Sequence, residues 1–458
     1  MTAGIVLTTL ALYRYGGVEG VVQRVEVQFA VEQLPDELYV PTPEAVAAQT
    51  DQELAGLAEA LPAPENSAAP EATAEPSPLA GQLASLGEAA SLGETARVAE
   101  PFKQTARVPE SQRARTEDPA GLEEPTPTPA PAATPVFAPS MRLDGLSHYW
   151  QTWNNCGPAT LSSNLSYFGI KIGQEKIGPI LKPEKDDKNV GPEQLAQFAR
   201  EQGLRATVRV QGDTARLKAL LAAGIPVLVE TWYEPKPNDG MGHYRLVVGY
   251  DDTGAEGHWI AYDSYESRGL DRKAPYQGIK LPYKQFDPLW KVFNRTYVPI
   301  YDEARAAAVE TVLGADMDTQ AMHKRSLGLN LAAVKANPKD NFAWFNIGSD
   351  YVALGNYAAA ATAYDTARRL KLPWRMLWYQ FGPFEAYYNM GRHQEVIALA
   401  DATIKTAKND EELFYWKGLS QQALGDLAGA RASLGQAVKL RPSYEEAVVA
   451  LNALPPAQ

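Results

Sequence analysis

The sequence predicts a mixed α+β domain followed by an all-helical repeat domain, with an unfolded acidic linker in front of both. Three observations carry this. Residues 41–140 hold 16 of the chain's 34 prolines, together with many alanines and glutamates. Residues 141–303 show helix-period stretches first and strand-period stretches later, the order of an α+β domain with a cleft between its halves. Residues 304–458 place small and aromatic residues in units that start near 307, 341, 377 and 411.

Residues 1–35 contain an apolar run, Ala3–Tyr13, too short to span a bilayer. No basic stretch precedes it and no small-residue cleavage site follows. It reads either as the trailing part of a signal or membrane anchor, or as a small helix that packs. Val25, Val27, Phe29 and Val31 alternate as a strand would. Residues 36–140 carry 17 acidic and 5 basic residues, which accounts for the whole net charge of −12. Such a segment buries too little apolar area to offset chain entropy and is predicted to be disordered. Within it Pro125–Pro131 is stiff, and Ala45–Leu61 and Leu79–Leu92 read as transient helices. The acidic balance, without any basic aromatic patch, argues against a nucleic-acid partner. A tether between an apolar N-terminus and a folded domain fits an extracytoplasmic protein, at the cell surface or secreted; a cytoplasmic protein is the alternative.

The domain at 141–303 holds the chain's single cysteine, Cys156. A lone cysteine forms no internal disulfide and completes no CxxC zinc site. It is either a small apolar filler or a nucleophile, and its flanks favour the nucleophile. Gly157-Pro158 opens a helix, with Leu161, Leu165 and Phe168 as its apolar stripe and Gly169 as its stop. Cys156 therefore sits at a helix N-terminus, which favours a thiolate. Gly242–Asp251 reads as a strand that begins with His243, and Gly257–Ser264 as the next strand. A turn centred near Gly254 gives His243 and Asp263 the same face, about one diagonal step apart. That suits a base and the carboxylate that orients it. Further helices are predicted at Pro192–Gln202 and Thr214–Ala223, and strands at Ala206–Val210, Ile225–Thr231 and Thr296–Tyr301.

Gln-x4-Cys-Gly-Pro-Ala, Gly-His-Tyr-x-x-Val-x-Gly-Tyr-Asp and a following strand ending in Asp resemble the bacteriocin-processing (double-glycine leader) cysteine peptidases. The closer resemblance is to their stand-alone relatives, which have a papain-like fold. It covers roughly residues 141–300. It implies Cys156 as nucleophile, His243 as general base, Asp263 as orienter and Gln151 as oxyanion donor. The family often has Asp-Pro where this chain has Asp263-Ser264. Of the other histidines, His258 reads as a solvated strand start, His148 as packing among aromatics, and His323 and His393 as part of the helical region. Asp251 and Asp252 read as turn formers. No cluster has metal-ligand spacing and no glycine-rich phosphate loop occurs, so no metal, nucleotide or other cofactor is expected.

In the repeat region Trp344, Gly348, Tyr351, Gly355, Ala360, Tyr364 and Ala367 fall at tetratricopeptide offsets. Gly418, Gly425, Ala430, Ala437 and Pro442 repeat the later ones. Glu445–Leu454 reads as the capping helix. The function this predicts is a cysteine peptidase acting on a peptide or protein, with Tyr233–Gly242 as a cleft wall. Its repeats dock a protein partner, Asn346, Asp350, Trp378, Glu385 and Gln421 being the candidate contacts. The alternatives are a non-catalytic peptide-binding scaffold, or a transpeptidase or deamidase of cell-wall peptides.

Overall fold

The computed structural model describes residues 51–64, 137–184, 186–234, 240–266 and 276–456. The apolar run at Ala3–Tyr13, the Val25–Val31 strand, the Leu79–Leu92 helix and most of the acidic linker lie outside the described residues. Among the described residues no helix is long and apolar enough to cross a membrane.

One stretch of the linker departs from the expected disorder. Asp51–Ala60 is a helix, α1, and it is packed rather than transient. Leu54, Leu57, Ala58 and Leu61 fall at helical spacing, and Leu54 is wholly buried. The Ala58 and Leu61 side chains join α1 to the core of the C-terminal helices, with Leu57 packed against it, and the Tyr351 hydroxyl donates to the Pro62 carbonyl. A four-residue apolar stripe is enough to dock a ten-residue helix once a neighbouring surface is available.

The α+β domain opens with β1 (Ser140–Arg142). Three helices follow: α2 (Cys156–Tyr167), α3 (Gln174–Leu181) and α4 (Pro192–Glu201). After β2 (Arg205–Ala206) and α5 (Thr214–Ala222) come β3 (Val227–Tyr233), β4 (Met241–Asp251), β5 (His258–Asp263) and β6 (Ile279–Pro282). Helix α6 (Tyr283–Lys291) and β7 (Tyr297–Tyr301) complete it. The predicted strand at Ala206–Val210 shrinks to β2 and one isolated bridge from Arg209 to Tyr297. Gln211, at φ 52°, ends any extension.

All pairings are antiparallel, in the order β2-β7-β3-β4-β5-β6, with β1 beside the far end of β4. Side chains alternate across this sheet. Leu228, Leu246, Val248 and Val298 meet Leu161, Leu165, Leu195 and Phe198 on one face. Val227, Val229, Val247 and Tyr297 meet Leu217, Leu220, Leu221 and Trp290 on the other. The register shifts between Val247 and Gly249. A Cβ on Gly249 would stand 2.4 Å from the Met141 carbonyl oxygen, so the shift and the entry of β1 both need glycine there.

The C-terminal region is helical throughout: α7 (Ala306–Leu313), α8 (Thr319–Ala336), α9 (Asn341–Ala353), α10 (Tyr357–Arg369), α11 (Gly382–Asn389), α12 (His393–Ile404), α13 (Glu411–Ala423), α14 (Leu427–Leu440) and α15 (Glu445–Ala453). Gly348 and Gly418 sit where helices cross, with the Tyr364 ring and Leu434 packed where a Cβ would stand. The repeats do not stand apart from the α+β domain. Trp232, Val292 and Phe293 belong to the same apolar core as Trp344, Phe345 and Tyr364. A buried polar knot joins the two parts: Asn294 donates to Asp350 (3.1 Å), and Asp350 also accepts from Ser326 (2.7 Å) and Asn330 (2.9 Å).

Candidate active site

Helix α2 is buried from Gly157 to Leu165 and packs on β4, where the Thr160 hydroxyl donates to the Tyr244 carbonyl. The helix start lies against Tyr244, whose ring is 3.4 Å from where a Cβ of Gly157 would be, an ordinary packing contact. This packing brings Cys156, the first residue of α2, to the start of β4, where His243 stands. Proline at 158 has no N–H to leave unpaired in that first turn.

The strands supply the rest. Arg245 pairs directly with Asp263, and Thr231 with His243, so His243, Arg245 and Asp263 share a face. The His243 Nε2 bonds to Asp263 Oδ1 at 2.9 Å and the Arg245 Nε donates to Oδ2 at 2.8 Å. Asp263 Oδ1 also accepts from the backbone N–H groups of Tyr265 (2.8 Å) and Glu266 (2.7 Å). With Nε2 so engaged, Nδ1 is the His243 nitrogen left for the thiol.

The electrostatics follow from these contacts. Burial would push the Cys156 thiol up. Hydrogen bonding and charge from His243, with the backbone N–H groups of Tyr244 and Gly157, outweigh it and hold the thiol below its ordinary value. Burial would lower His243, yet the Asp263 charge and hydrogen bond raise it to about 9. Burial would raise Asp263, but His243 and Arg245 hold it far below the usual carboxylate range. A thiol that loses its proton easily thus faces an imidazole that keeps one, the pattern of an ion pair.

A narrow cleft opens on the sulfur. Asn154, Lys188, Glu230, His243, Tyr244 and Tyr379 line it. Asn154 adopts φ 54°, a left-handed turn that asparagine tolerates. Its amide oxygen is placed to accept from Trp153 Nε1 (3.0 Å) and Lys188 Nζ (3.2 Å), which leaves its NH2 as a donor beside Cys156. Glu230 is buried, and burial together with the nearby Cys156 pushes its carboxyl up to about 8. Tyr379 comes from the turn before α11, and its ring lies 3.1 Å from where a Cβ of Gly242 would stand.

Of the four residues expected in the site, Cys156, His243 and Asp263 are brought together and Gln151 is placed beside them. Gln151 bonds to Ser264, the residue after Asp263, through its backbone N–H (2.9 Å) and its Oε1, which accepts from the Ser264 hydroxyl (2.9 Å). It is not among the residues lining the cleft. His148 stacks on Tyr276 at 3.6 Å and bonds to the Asp263 carbonyl, supporting β5 from behind. His323 bonds to Asp350 in the polar knot. His258 and His393 each bury a ring nitrogen without a hydrogen-bond partner, away from the cleft. Asp251 caps its own turn through Thr253, and Asp252 accepts from Tyr283 and Lys218. Residues 235–239 of the expected cleft wall lie outside the described residues.

Sequence reasoning missed Arg245, Glu230, Asn154, Lys188 and Tyr379. Arg245 was legible in principle, since it sits two residues from His243 on the same strand face. Among the described residues no group of three or more His, Cys, Asp or Glu is placed to hold a metal ion. Three of the expected docking residues are committed elsewhere. Asn346 donates to the Lys291 carbonyl, Asp350 lies in the polar knot, and Trp378 donates to Thr406, all three buried.

Residues 143–298 match the Peptidase_C39 like family, and residues 411–444 match a tetratricopeptide repeat. A solved structure described as a putative C39-like peptidase from Bacillus anthracis is 16% identical, with 37% of this chain and 96% of that chain covered and a TM-score of 0.25. A MamA RS-1 ArsTM double mutant is 16% identical, with 30% of this chain and 75% of that chain covered and a TM-score of 0.27. No curated protein matches the chain. The family match stops at the C39-like level and does not single out the bacteriocin-processing branch. Residues 143–298 thus form a mixed α/β domain with the C39-like peptidase fold, joined to a helical region that carries a tetratricopeptide repeat.

Proposed function

We propose that this domain is a cysteine peptidase acting on a peptide or protein, with Cys156 as nucleophile, His243 as base and acid, and Asp263 as orienter. The observation that carries the reading is the His243 ring set between the Cys156 thiol at the start of α2 and the buried Asp263 carboxylate, to which its Nε2 bonds at 2.9 Å; a lowered thiol and a raised imidazole follow from that placement. The Cys156 thiolate attacks the substrate carbonyl and gives a tetrahedral oxyanion. The Cys156 backbone N–H, at the open end of α2, is one donor for that charge, and the Asn154 amide and Gln151 are rivals for the second. Each such donor is worth a few kcal/mol. The His243 imidazolium then gives its proton to the leaving amine as the C–N bond breaks and the thioester forms. His243 next takes a proton from water, which attacks the thioester and releases the acid.

Passing the acyl group to an amine instead of water would make the same site a transpeptidase, and an amide side chain as substrate would make it a deamidase. For the repeats, docking of a protein partner rests on their class. The surface that serves it excludes Asn346, Asp350 and Trp378.

The test is iodoacetamide alkylation of the full chain, followed by intact mass from pH 5 to 9, on wild type, Cys156→Ser and His243→Ala. We expect one adduct, absent in Cys156→Ser, formed readily at pH 6–7 and slowed strongly in His243→Ala. A wild-type rate that climbs only above pH 8, as for an ordinary thiol, sinks the reading.

A further inference from the structure

Glu230 is a buried ionisable group of the cleft that this chemistry leaves unused. It lies mid-strand in β3 opposite Tyr244 and is 4% exposed. Its carboxyl makes no hydrogen bond to any described residue, and the cleft is the space it lines. A buried carboxyl without a partner is strongly disfavoured unless one arrives from outside. The two cationic lining groups are engaged elsewhere: His243 is bonded to Asp263, and Lys188 lies over the Trp153 ring and at the Asn154 amide. The partner that Glu230 lacks is therefore a cation brought by the substrate.

The cleft also limits what part of a substrate enters. The repeat region holds two of the stretches that line it. At the first, Tyr379 packs on Gly242, and Arg375 donates to the Gly240 carbonyl at 2.9 Å. At the second, Asp410 accepts from the Lys188 backbone N–H (3.2 Å), and Glu412 accepts from the Asn189 amide (3.3 Å). A chain that crosses the thiol must leave the cleft on both sides. A chain end need not.

We propose that the site takes the amino-terminal end of a peptide, with Glu230 pairing to the α-ammonium group, so that Cys156 cuts near that end. The proposal rests on the peptidase reading above. As the ammonium docks, Glu230 gives up its proton to solvent and pairs as the carboxylate. The bond broken is the amide following the terminal residue or residues. The terminal piece is held as the Cys156 thioester, and the rest of the chain leaves as an amine with the His243 proton.

The test uses alanyl and alanyl-alanyl chloromethyl ketones, each with a free and an N-acetylated amine, on the full chain at pH 7. Alkylation of Cys156, with loss of chloride, is read by intact mass. Each rate is divided by the rate with glutathione to remove intrinsic reactivity. For at least one pair the free amine is expected to react about tenfold faster or more, as befits a charge-assisted contact. In Glu230→Gln that ratio falls to about one. Equal rates for free and acetylated probes in the wild type, or an unchanged ratio in Glu230→Gln, overturn the proposal. Iodoacetamide separates the two readings. An activated thiol without amine preference removes only the amino-terminal specificity; an unactivated thiol removes both.

Discussion

Replacing Asp263 by asparagine removes one charge and keeps the shape, and its effect is calculable from the contacts. Asp263 accepts from His243, Arg245 and two backbone N–H groups in a fully buried position. Its charge and hydrogen bond are what raise His243 from 6.5 to about 9 against burial. That rise corresponds to about 3 kcal/mol in favour of the imidazolium. In Asp263→Asn the support is gone while the burial remains, so the imidazolium is scarce at pH 7. The thiol loses its charged neighbour at the same time and returns to the raised value that burial dictates. The reactive thiolate–imidazolium pair should fall about a hundredfold. Alkylation by iodoacetamide at pH 7 should slow by about that factor, and the rate should climb only above pH 9. The substitution also leaves Arg245 buried without its carboxylate, at a cost of about 3–5 kcal/mol. The measurement is therefore made at low temperature, with near-UV circular dichroism to verify folding. His243→Ala serves as a second variant in which Arg245 keeps Asp263. A folded Asp263→Asn protein that alkylates at the wild-type rate at pH 7 would refute the reasoning.

Two further outcomes follow from the same contacts. Because His243 is raised, its imidazolium persists through pH 7 to 8 and is lost above about 9; kcat/KM should fall there with a single-proton slope. Its contribution to stability has the same sign: complete below 6.5, lost as pH climbs through about 9, and visible as a falling Tm across that window. Removal of residues 307–458 uncovers Trp232, Val292 and Phe293, each at most 3% exposed in the full chain. At about 2 kcal/mol for each side chain that loss approaches the whole stability of a domain, so the remaining chain, 1–306, should lack a folded α+β domain or be insoluble. A soluble fragment with sharp thermal unfolding would show that the repeats are not needed for folding.

The helix that positions the thiol was legible because its start, Gly157-Pro158, is written locally. The parity of His243 and Asp263 was not fixed by the turn alone. Next to the turn the pairs Asp251–His258 to Gly249–Ile260 are centred half a residue beyond Gly254, and only the shift between Val247 and Gly249 restores the register that pairs Arg245 with Asp263. The Asp51–Ala60 helix was legible as a helix but not as packed. Its apolar stripe is short, and what decides its fate is a surface some 270 residues away, offered by Val334 and Tyr351. Composition averaged over a proline-rich window hid those four residues.

The cleft itself was the least legible part, for a physical reason. Its lining comes from five separate stretches of chain, and one of them, Tyr379, belongs to the repeats. No periodicity links Glu230 to Cys156, and in the sequence Glu230 is only a charged residue inside an apolar strand. That anomaly is the signal that was available: Val227–Tyr233 is buried at every position, so a glutamate there is neither solvated nor packed by its own kind. A strand with no solvent face must place any ionisable side chain against something that answers its charge. In β3 the space offered is the cleft on the Cys156 sulfur. The same reasoning works from amino-acid sequence alone. Where a strand reads as wholly buried, a charged residue inside it is a candidate for the substrate's partner, and its distance along the chain from the nucleophile carries no weight.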